Sequence, residues 1–265
     1  MGIFRDRQTV KKKQQWMKRL KQLERILLSI AIVLVGMASL YGIYRLVFFG
    51  SSFTVDRIVV EGSWRHLSAE RLADLADIRG DENLFWISMD QIHDRIHQNP
   101  WVRRAAVRRR LPDTIWIYAE EHEAEAIISD SALFYVDEYG EIFKVPEGGD
   151  DRDLPVLTGV DVGESRKMKS GDREKVLEML KLIRIFSNSE FGKGIDVSEV
   201  HFDEVDGYSL TTKKRPMQIL FGHAAFDDRM SQIDKMSAAI RGHVGRITYM
   251  MVNEPGRLIV KYSSS

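Results

Sequence analysis

The sequence predicts an α+β protein with a single N-terminal transmembrane helix, a small β-α-α-β-β module, and a mixed β domain with amphipathic helices packed on its sheet. Three observations lead to this prediction. An uncharged apolar run lies near the N-terminus, a strand–helix–helix–strand–strand order follows it, and strand patterns with two amphipathic helices fill the remainder. The expected parts are a basic tail (1–25), the transmembrane helix (26–49), the module (50–122), the β domain (123–262) and a C-terminal tail (263–265).

The apolar run from Ile26 to Tyr44 determines the predicted topology. Its 19 residues carry no charge, and as a helix they would span roughly 28 Å, close to the hydrocarbon thickness of a bilayer. A cleaved signal peptide fits less well, because the run is long and no small-residue cleavage site follows. A buried core helix also fits less well, because the run is apolar on every face. We therefore expect a lipid-embedded segment.

Charge is distributed unevenly around this segment. The chain has 39 basic and 39 acidic residues, but residues 1–25 hold nine of the basic and two of the acidic ones. Basic residues beside a membrane span stay in the cytoplasm, so we expect a cytoplasmic N-terminus and an extracytoplasmic body. The chain contains no cysteine, which excludes disulfides and cysteine metal sites.

The module begins with a strand expected at Phe53–Gly62. Two helices should follow, one after an N-cap at Ser68 and one after an N-cap at Ser88, which is spaced from Gln91 as in a capping box. Pro100 blocks continuation of the second helix. The apolar positions expected to face the core are Leu72, Leu75 and Ala76 in the first helix and Met89, Ile92 and Ile96 in the second.

Five arginines crowd into residues 103–110 and raise the question of a nucleic-acid site. We expect a hairpin instead, with strands at Val102–Arg109 and Ile115–Glu120 joined by the turn 111–114. On the second strand, Ile115, Ile117 and Ala119 share one face, and the arginines can pair with acidic groups across the hairpin. An extracytoplasmic body also has little nucleic acid to bind, so no nucleic-acid partner is expected.

The β domain reads as strands interrupted by two helices. We expect a hairpin around 137–140, an extended link at "DLPVLTG", and two or three strands within 197–222. Amphipathic helices are expected at Asp172–Ser187 and at Phe226–Arg241. A final pair of strands, "RITYMMVN" and "RLIVKY", is joined by a turn at Glu254-Pro255-Gly256.

Taken together, the chain resembles the bacterial cell-division family FtsQ/DivIB. The resemblance rests on "VDRIVVEG", "NPWVRRAAVRRRLPDTIWIYAEE", "YVDEYGEIF", "LPVLTG" and "RITYMMVNEPGRLIVKY", and it spans about residues 25–262. POTRA modules of β-α-α-β-β order also occur in other protein families, so no single segment is specific. The resemblance rests on all five segments in this order. It implies that the first module is a POTRA domain.

The resemblance implies a non-enzymatic divisome scaffold without cofactor, metal or small-molecule substrate. Such a protein sits in the bacterial cytoplasmic membrane at the division septum, in contact with membrane lipid. It recruits FtsB/DivIC-like and FtsL-like bitopic proteins, docks other divisome members through its POTRA domain, and helps control septal peptidoglycan synthesis. The family's partner adds a β-strand to the C-terminal edge, and the matching positions are Glu254, Gly256, Arg257, Leu258, Ile259, Val260, Lys261 and Tyr262.

Physical reasoning favours that edge independently, because a final strand has no later strand to cover its N–H and C=O groups. Leu258, Val260 and Tyr262 should share one face, and Arg257, Ile259 and Lys261 the other. An ordinary edge blunted by its two basic residues is the alternative. Glu254 departs from the aromatic residue that well-studied family members carry at this turn.

Two other functions are weighed against the scaffold. A POTRA-bearing accessory of protein secretion or outer-membrane assembly would capture extended polypeptides by strand addition. A hydrolase would use His93 and His97, which have zinc-peptidase spacing, with His122 or His201 as a loose third ligand. The sequence has no G-x-S-x-G motif, and "PEGGDDRD" lacks the ligand spacing of an EF-hand, so it favours a loop.

Overall fold

The computed structural model describes residues 4–50, 53–80, 82–163, 168–169, 171–223, 225–254 and 257–263. The chain forms two compact units, Met1–Gln98 with Arg104–Ala119, and Asn99–Arg103 with Glu120–Ser265. The predicted fold class is confirmed. An N-terminal apolar helix precedes a β-α-α-β-β module and a mixed sheet with helices.

The first element is helix α1, Phe4–Phe49, with 46 residues. Its part from Arg19 to Phe49 is the one described segment that is long and apolar enough to cross a membrane. The helix also includes most of the basic tail. That extension follows from composition, since Lys, Arg, Gln and Leu are good helix formers and no proline lies between Phe4 and Phe49.

In the part of the chain that the structure describes, the module consists of a three-stranded sheet and two helices. The elements are β1 (Arg57–Ser63), α2 (Ala69–Ala76), α3 (Met89–His97), β2 (Val102–Arg110) and β3 (Thr114–Glu121), with the strand order β1-β3-β2. Both predicted N-caps are confirmed: Ser68 Oγ accepts the N–H of Arg71 at 3.2 Å, and Ser88 Oγ accepts the N–H of Gln91 at 3.3 Å.

The predicted core of the module is confirmed for four of its six helix positions, whereas Leu75 and Met89 are half-buried. Ile115 and Ile117 on β3 are fully buried, as are Leu72 on α2 and Ile96 on α3. The first strand begins later than expected. Thr54 forms an isolated bridge with Asn83, and the N–H of Val55 donates to Glu82 O. Because these backbone groups bind the α2–α3 loop, the ladder of β1 starts at Arg57.

The arginine run divides into different roles. Arg103 forms the expected ion pair with Glu120 across the hairpin. The prediction of cross-strand pairing is wrong for the end of β2, where the guanidinium groups of Arg108 and Arg110 lie over the ring of Trp116. Arg109 donates to Leu84 O at 2.9 Å and to Ile87 O. The pattern of residue types along β2 does not reveal that these three arginines contact a tryptophan ring and loop carbonyls.

Among the described residues, the second sheet has nine strands in the order β12-β11-β10-β9-β8-β7-β4-β5-β6. Strands β7–β4, β7–β8 and β10–β11 pair in parallel, and the other neighbours are antiparallel. The strands are β4 (Ala124–Ser129), β5 (Leu133–Asp137), β6 (Ile142–Lys144), β7 (Val156–Thr158), β8 (Val197–Asp203), β9 (Gly207–Thr212), β10 (Gln218–Gly222), β11 (Ile247–Glu254) and β12 (Arg257–Tyr262).

One prediction in this region is wrong. The segment "DLPVLTG" is not merely an extended link, since β7 lies inside the sheet between β4 and β8. Leu157 is fully buried there. A three-residue strand is too short to show a period of two, and its parallel partners lie far away in the sequence.

Helices α4 (Asp172–Asn188) and α5 (Phe226–Ile240) pack on this sheet and on each other. Val176, Phe186, Met230 and Ile233 join the strand residues in one buried core. Helix α5 ends one residue before the predicted boundary, and a 3-10 helix, Arg241–Arg246, leads into β11. The hairpin predicted around 137–140 is confirmed as β5–β6.

Candidate partner-binding edge

Strand β12 ends the nine-stranded sheet. Within the described part of the chain it has one strand neighbour, β11, with which it pairs antiparallel. The register places Met250 opposite Val260 and Met251 opposite Ile259. The outer backbone side of β12 therefore faces no strand of this chain, at least among the residues that are described.

The edge is positioned by its neighbours rather than by its own burial. Helix α5 and the 3-10 helix return the chain so that β11 runs parallel to β10. Met250 and Val252 on β11 are fully buried and fix that strand to the core. After the strand, the N–H of Ser263 donates to Arg246 O at 2.7 Å and closes the end of the hairpin.

Side chains of β12 alternate from Arg257 to Lys261 as the sequence predicts, but Tyr262, expected to share the face of Leu258 and Val260, is exposed. Leu258 and Val260 are half-buried and pack against the core. Ile259 and Tyr262 are 48% and 45% exposed, and both are large apolar side chains. Arg257 and Lys261 are exposed as well. The strand therefore combines an anchored inner face with exposed apolar and basic groups.

The outer face of the sheet beside β12 extends this surface. Tyr249 pairs with Lys261 and with Gln218, and Met251 pairs with Ile259 and with Leu220. Tyr249, Met251 and Leu220 are half-buried, and burial raises the pKa of Tyr249. We define Leu220, Tyr249, Met251 and Ile259 as the outer apolar face. Sequence reasoning missed the first three, although the alternation in "RITYMMVN" carries a signal for β11.

Two predicted site residues, Glu254 and Gly256, lie partly or wholly outside the residues that the structure describes. Glu254 ends β11 and pairs with Arg257 in the register, while its side chain is outside the described set. Gly256 is outside the described residues altogether. The remaining predicted positions lie together on one six-residue strand.

A possible metal-ligating group lies elsewhere in this unit. Ligand atoms of His122, Asp137 and Glu141 lie within 4.8 Å of one another. The buried carboxylate of Asp137 already accepts three hydrogen bonds, from His122 Nδ1 and from the N–H groups of Tyr139 and Glu141. Both oxygens of Asp137 accept hydrogen bonds, and two of these bonds hold the turn at residues 137–141. This geometry is that of a structural carboxylate.

The histidine pair proposed for a hydrolase lies on α3. The rings of His93 and His97 stack with centroids 5.5 Å apart, and His93 Nδ1 is 3.4 Å from a carboxylate oxygen of Asp94. Among the described residues, the pair belongs to no group of three metal-ligating side chains. His201 Nδ1 lies 2.7 Å from Thr158 Oγ1.

The fold and the edge together define a class: a POTRA-bearing protein on an N-terminal apolar helix, with a mixed sheet that ends in an edge strand. A family model of the POTRA domain, FtsQ-type, matches residues 53–122. A model of the cell division protein FtsQ/DivIB C-terminal region matches residues 126–253.

Curated relatives agree with these models. The chain is 30% identical over 221 residues to cell division protein FtsQ of Syntrophotalea carbinolica, covering 82% of this chain and 77% of the relative. It is 29% identical over 227 residues to FtsQ of Geotalea daltonii, covering 86% and 82%. It is 26% identical over 224 residues to DivIB of Geobacillus kaustophilus, covering 79% and 76%. The chain belongs to the FtsQ/DivIB family of cell-division proteins.

Membership establishes a role in cell division and interaction with other divisome proteins in general. The apolar part of α1 and the relatives fit a single-pass membrane protein.

Proposed function

We propose that this chain is a non-enzymatic divisome scaffold that recruits FtsB/DivIC-like and FtsL-like bitopic proteins to the septum. By holding them there it helps control septal peptidoglycan synthesis. Family membership supports the general role. The single observation that supports the recruiting mechanism is the edge strand β12, which has one strand neighbour among the described residues and carries exposed Ile259 and Tyr262.

The mechanism is strand addition at β12. An extended partner segment would satisfy the backbone N–H and C=O groups along the outer side of the strand. The proposed contact residues are Glu254, Gly256, Arg257, Leu258, Ile259, Val260, Lys261 and Tyr262. Backbone pairing supplies affinity, and alternate side chains supply specificity, since every second residue points to the same face.

An edge strand that only avoids aggregation is usually short, charged or covered. β12 has six residues and carries Arg257 and Lys261, which agrees in part with that role. Ile259 does not agree with it, because this exposed side chain is continuous with Met251 on β11. We infer that the outer apolar face receives apolar side chains of the partner beside its added strand.

The remaining assignments follow from the same proposal. The basic tail (1–25) lies in the cytoplasm and precedes a transmembrane segment at 26–49. The POTRA domain (50–122) docks other divisome members, and the β domain (123–262) holds the edge, with 263–265 as a tail. The body is extracytoplasmic, where division proteins assemble the septal wall.

Co-purification of full-length variants from membranes tests the edge. Ile259→Glu places a charge in the proposed interface, and Val205→Glu makes the same change at an 84% exposed turn residue of the same unit. We expect Ile259→Glu to lower recovery of small bitopic division proteins at least tenfold, while Val205→Glu leaves it unchanged. Equal recovery with both variants would refute strand addition at β12. Recovery of unfolded outer-membrane polypeptides in place of division proteins would favour a secretion or assembly accessory.

A further inference from the structure

The loop between α2 and α3 binds the C-terminal end of the apolar helix. Asn83 Nδ2 donates to Val47 O at 3.0 Å and to Phe48 O at 3.3 Å. Trp86 Nε1 donates to Phe48 O at 3.2 Å. The last carbonyls of a helix lack partners within the helix, so these side chains act as a cap supplied by the POTRA domain. The loop therefore lies at the level where α1 ends.

Aromatic rings surround this cap. Phe48 lies 5.7 Å from Phe85 and 5.8 Å from Trp86, and Phe49 lies 6.4 Å from Trp86, centroid to centroid. Trp86 is 63% exposed and Phe49 is 67% exposed. Tryptophan is enriched at the headgroup level of membranes because its ring is apolar and its N–H is polar.

The end of β2 is held against the same loop. Arg109 donates to Leu84 O and Ile87 O, on either side of Trp86 in the sequence. Leu111 follows two residues later, at most about 7 Å along the chain, and it is 63% exposed. Leu111 is thus an exposed apolar side chain two residues from the arginine that binds this loop.

Positive charge accompanies the exposed apolar groups. Arg108 and Arg110 are exposed, and their guanidinium groups lie 5.8 Å and 5.1 Å from the centre of the Trp116 ring. Asp113, the acidic residue of the turn, is bound by Arg57 at 3.1 Å. Guanidinium groups that stay exposed while stacked on a ring can still bind phosphate.

We propose that Trp86, Leu111, Arg108 and Arg110, which we call the POTRA tip, dock onto anionic phospholipid headgroups of the bilayer that α1 spans. The two apolar side chains enter the headgroup region, and the two arginines bind lipid phosphates. A membrane is the occupant because Trp86 binds the end of the membrane-spanning helix through Phe48 O. Arg109, which lies between the two exposed arginines in the sequence, binds the carbonyls on either side of Trp86. The inference holds for either orientation of α1 and does not depend on the partner proposed for β12.

Site-directed spin labelling tests this directly, because the chain has no cysteine and any introduced one is unique. Full-length Leu111→Cys would be labelled and placed in phosphatidylglycerol nanodiscs. The control is Glu61→Cys, an exposed position four residues along β1 from Arg57, about 13 Å away at the usual strand rise. The readout is the ratio of label accessibility to oxygen, which enters lipid, and to a polar nickel complex, which stays in water.

We expect the ratio at position 111 to exceed that at position 61 several-fold. We also expect the ratio at position 111 to fall toward the ratio at position 61 when the nanodiscs contain phosphatidylcholine. The same fall is expected in phosphatidylglycerol nanodiscs when the chain also carries Arg108→Gln and Arg110→Gln. Equal ratios at 111 and 61 in anionic nanodiscs would overturn the proposal. The ratio at position 111 could instead be high and unaffected by lipid charge or by the two arginine substitutions. That result would overturn the assignment of anionic headgroups. Trp86→Cys gives an independent second reading, with the same expectation.

Discussion

His122 Nδ1 lies 2.9 Å from Asp137 Oδ2, and the side chains of both residues are almost fully buried. Because a carboxylate only accepts, the imidazole is the donor. Asp137 Oδ1 accepts the backbone N–H groups of Tyr139 and Glu141 at 3.0 and 2.8 Å. The ring of Phe143 stacks on His122 at 4.5 Å. This carboxylate therefore joins the link between β3 and β4 to the β5–β6 turn.

The charge of Asp137 should stabilise the fold at neutral pH. Burial alone would raise its pKa, but the hydrogen bonds from His122, Glu141 and Tyr139 and the attraction of His122 together lower it. We expect Asp137→Asn to cost about 1–3 kcal/mol at pH 7, since hydrogen bonds to a charged group are lost. Hydrogen–deuterium exchange of the full chain in nanodiscs would show weaker protection of the Tyr139 and Glu141 amides.

The pH dependence gives that prediction a sign. A carboxyl whose pKa is lower in the folded state contributes stability above its unfolded pKa, about 3.9, and loses it as pH falls through the folded pKa. The difference between wild type and Asp137→Asn should therefore shrink below about pH 4. Glu138→Gln, at an exposed neighbour, should leave protection unchanged. A constant difference across this pH range would contradict the role of the charge.

Arg103 and Arg104 adjoin in the sequence but should differ in their effect on stability. The side chain of Arg103 is 12% exposed, pairs with Glu120 and lies over the ring of Tyr139 at 4.7 Å, whereas Arg104 is exposed. We expect Arg103→Ala to lower the free energy of unfolding by about 1–3 kcal/mol, because Glu120 is left half-buried without its partner. Arg104→Ala should change it by less than about 0.5 kcal/mol. Equal effects in denaturant titrations would show that the ion pair contributes nothing.

Gly159 and Gly194 separate two costs of replacing glycine. Both have positive φ, +82° and +79°. A Cβ at Gly159 would lie 2.0 Å from Phe202 O, whereas one at Gly194 would meet nothing within 4 Å. We expect Gly194→Ala to cost about 1 kcal/mol for the left-handed conformation. Gly159→Ala should cost clearly more, because β7 and β8 must separate locally. Similar melting temperatures for the two variants would contradict this close approach.

The proposed orientation predicts labelling from outside the cell. Val205→Cys places a unique thiol at an 84% exposed position. We expect a membrane-impermeant maleimide to label it in intact spheroplasts, because the basic tail should hold the N-terminus inside. The cysteine-free parent is the background control. If labelling required disrupted membranes, Val205 would lie in the cytoplasm. That result would contradict the proposed orientation and the proposal of an extracytoplasmic scaffold.

Local sequence signals predicted several elements correctly. The caps at Ser68 and Ser88, the buried face of Ile115 and Ile117, and the alternation of β12 each depend on residues at most four positions apart. The final strand of the candidate edge, and the face that Ile259 shares with Arg257 and Lys261, could therefore be predicted. The role of these positions in partner binding stays a proposal.

The sequence by itself determined the apolar helix, the β-α-α-β-β order and the amphipathic faces, because periodicity and capping are properties of short segments. Only the tertiary structure placed β7 inside the sheet and set β11 parallel to β10, which creates the outer apolar face beside β12. It also joined His122 to Asp137 and Arg109 to the α2–α3 loop. Each of these contacts joins a side chain to a group on another element. They could not be predicted, because a local hydrophobic pattern does not indicate which element will be the neighbour.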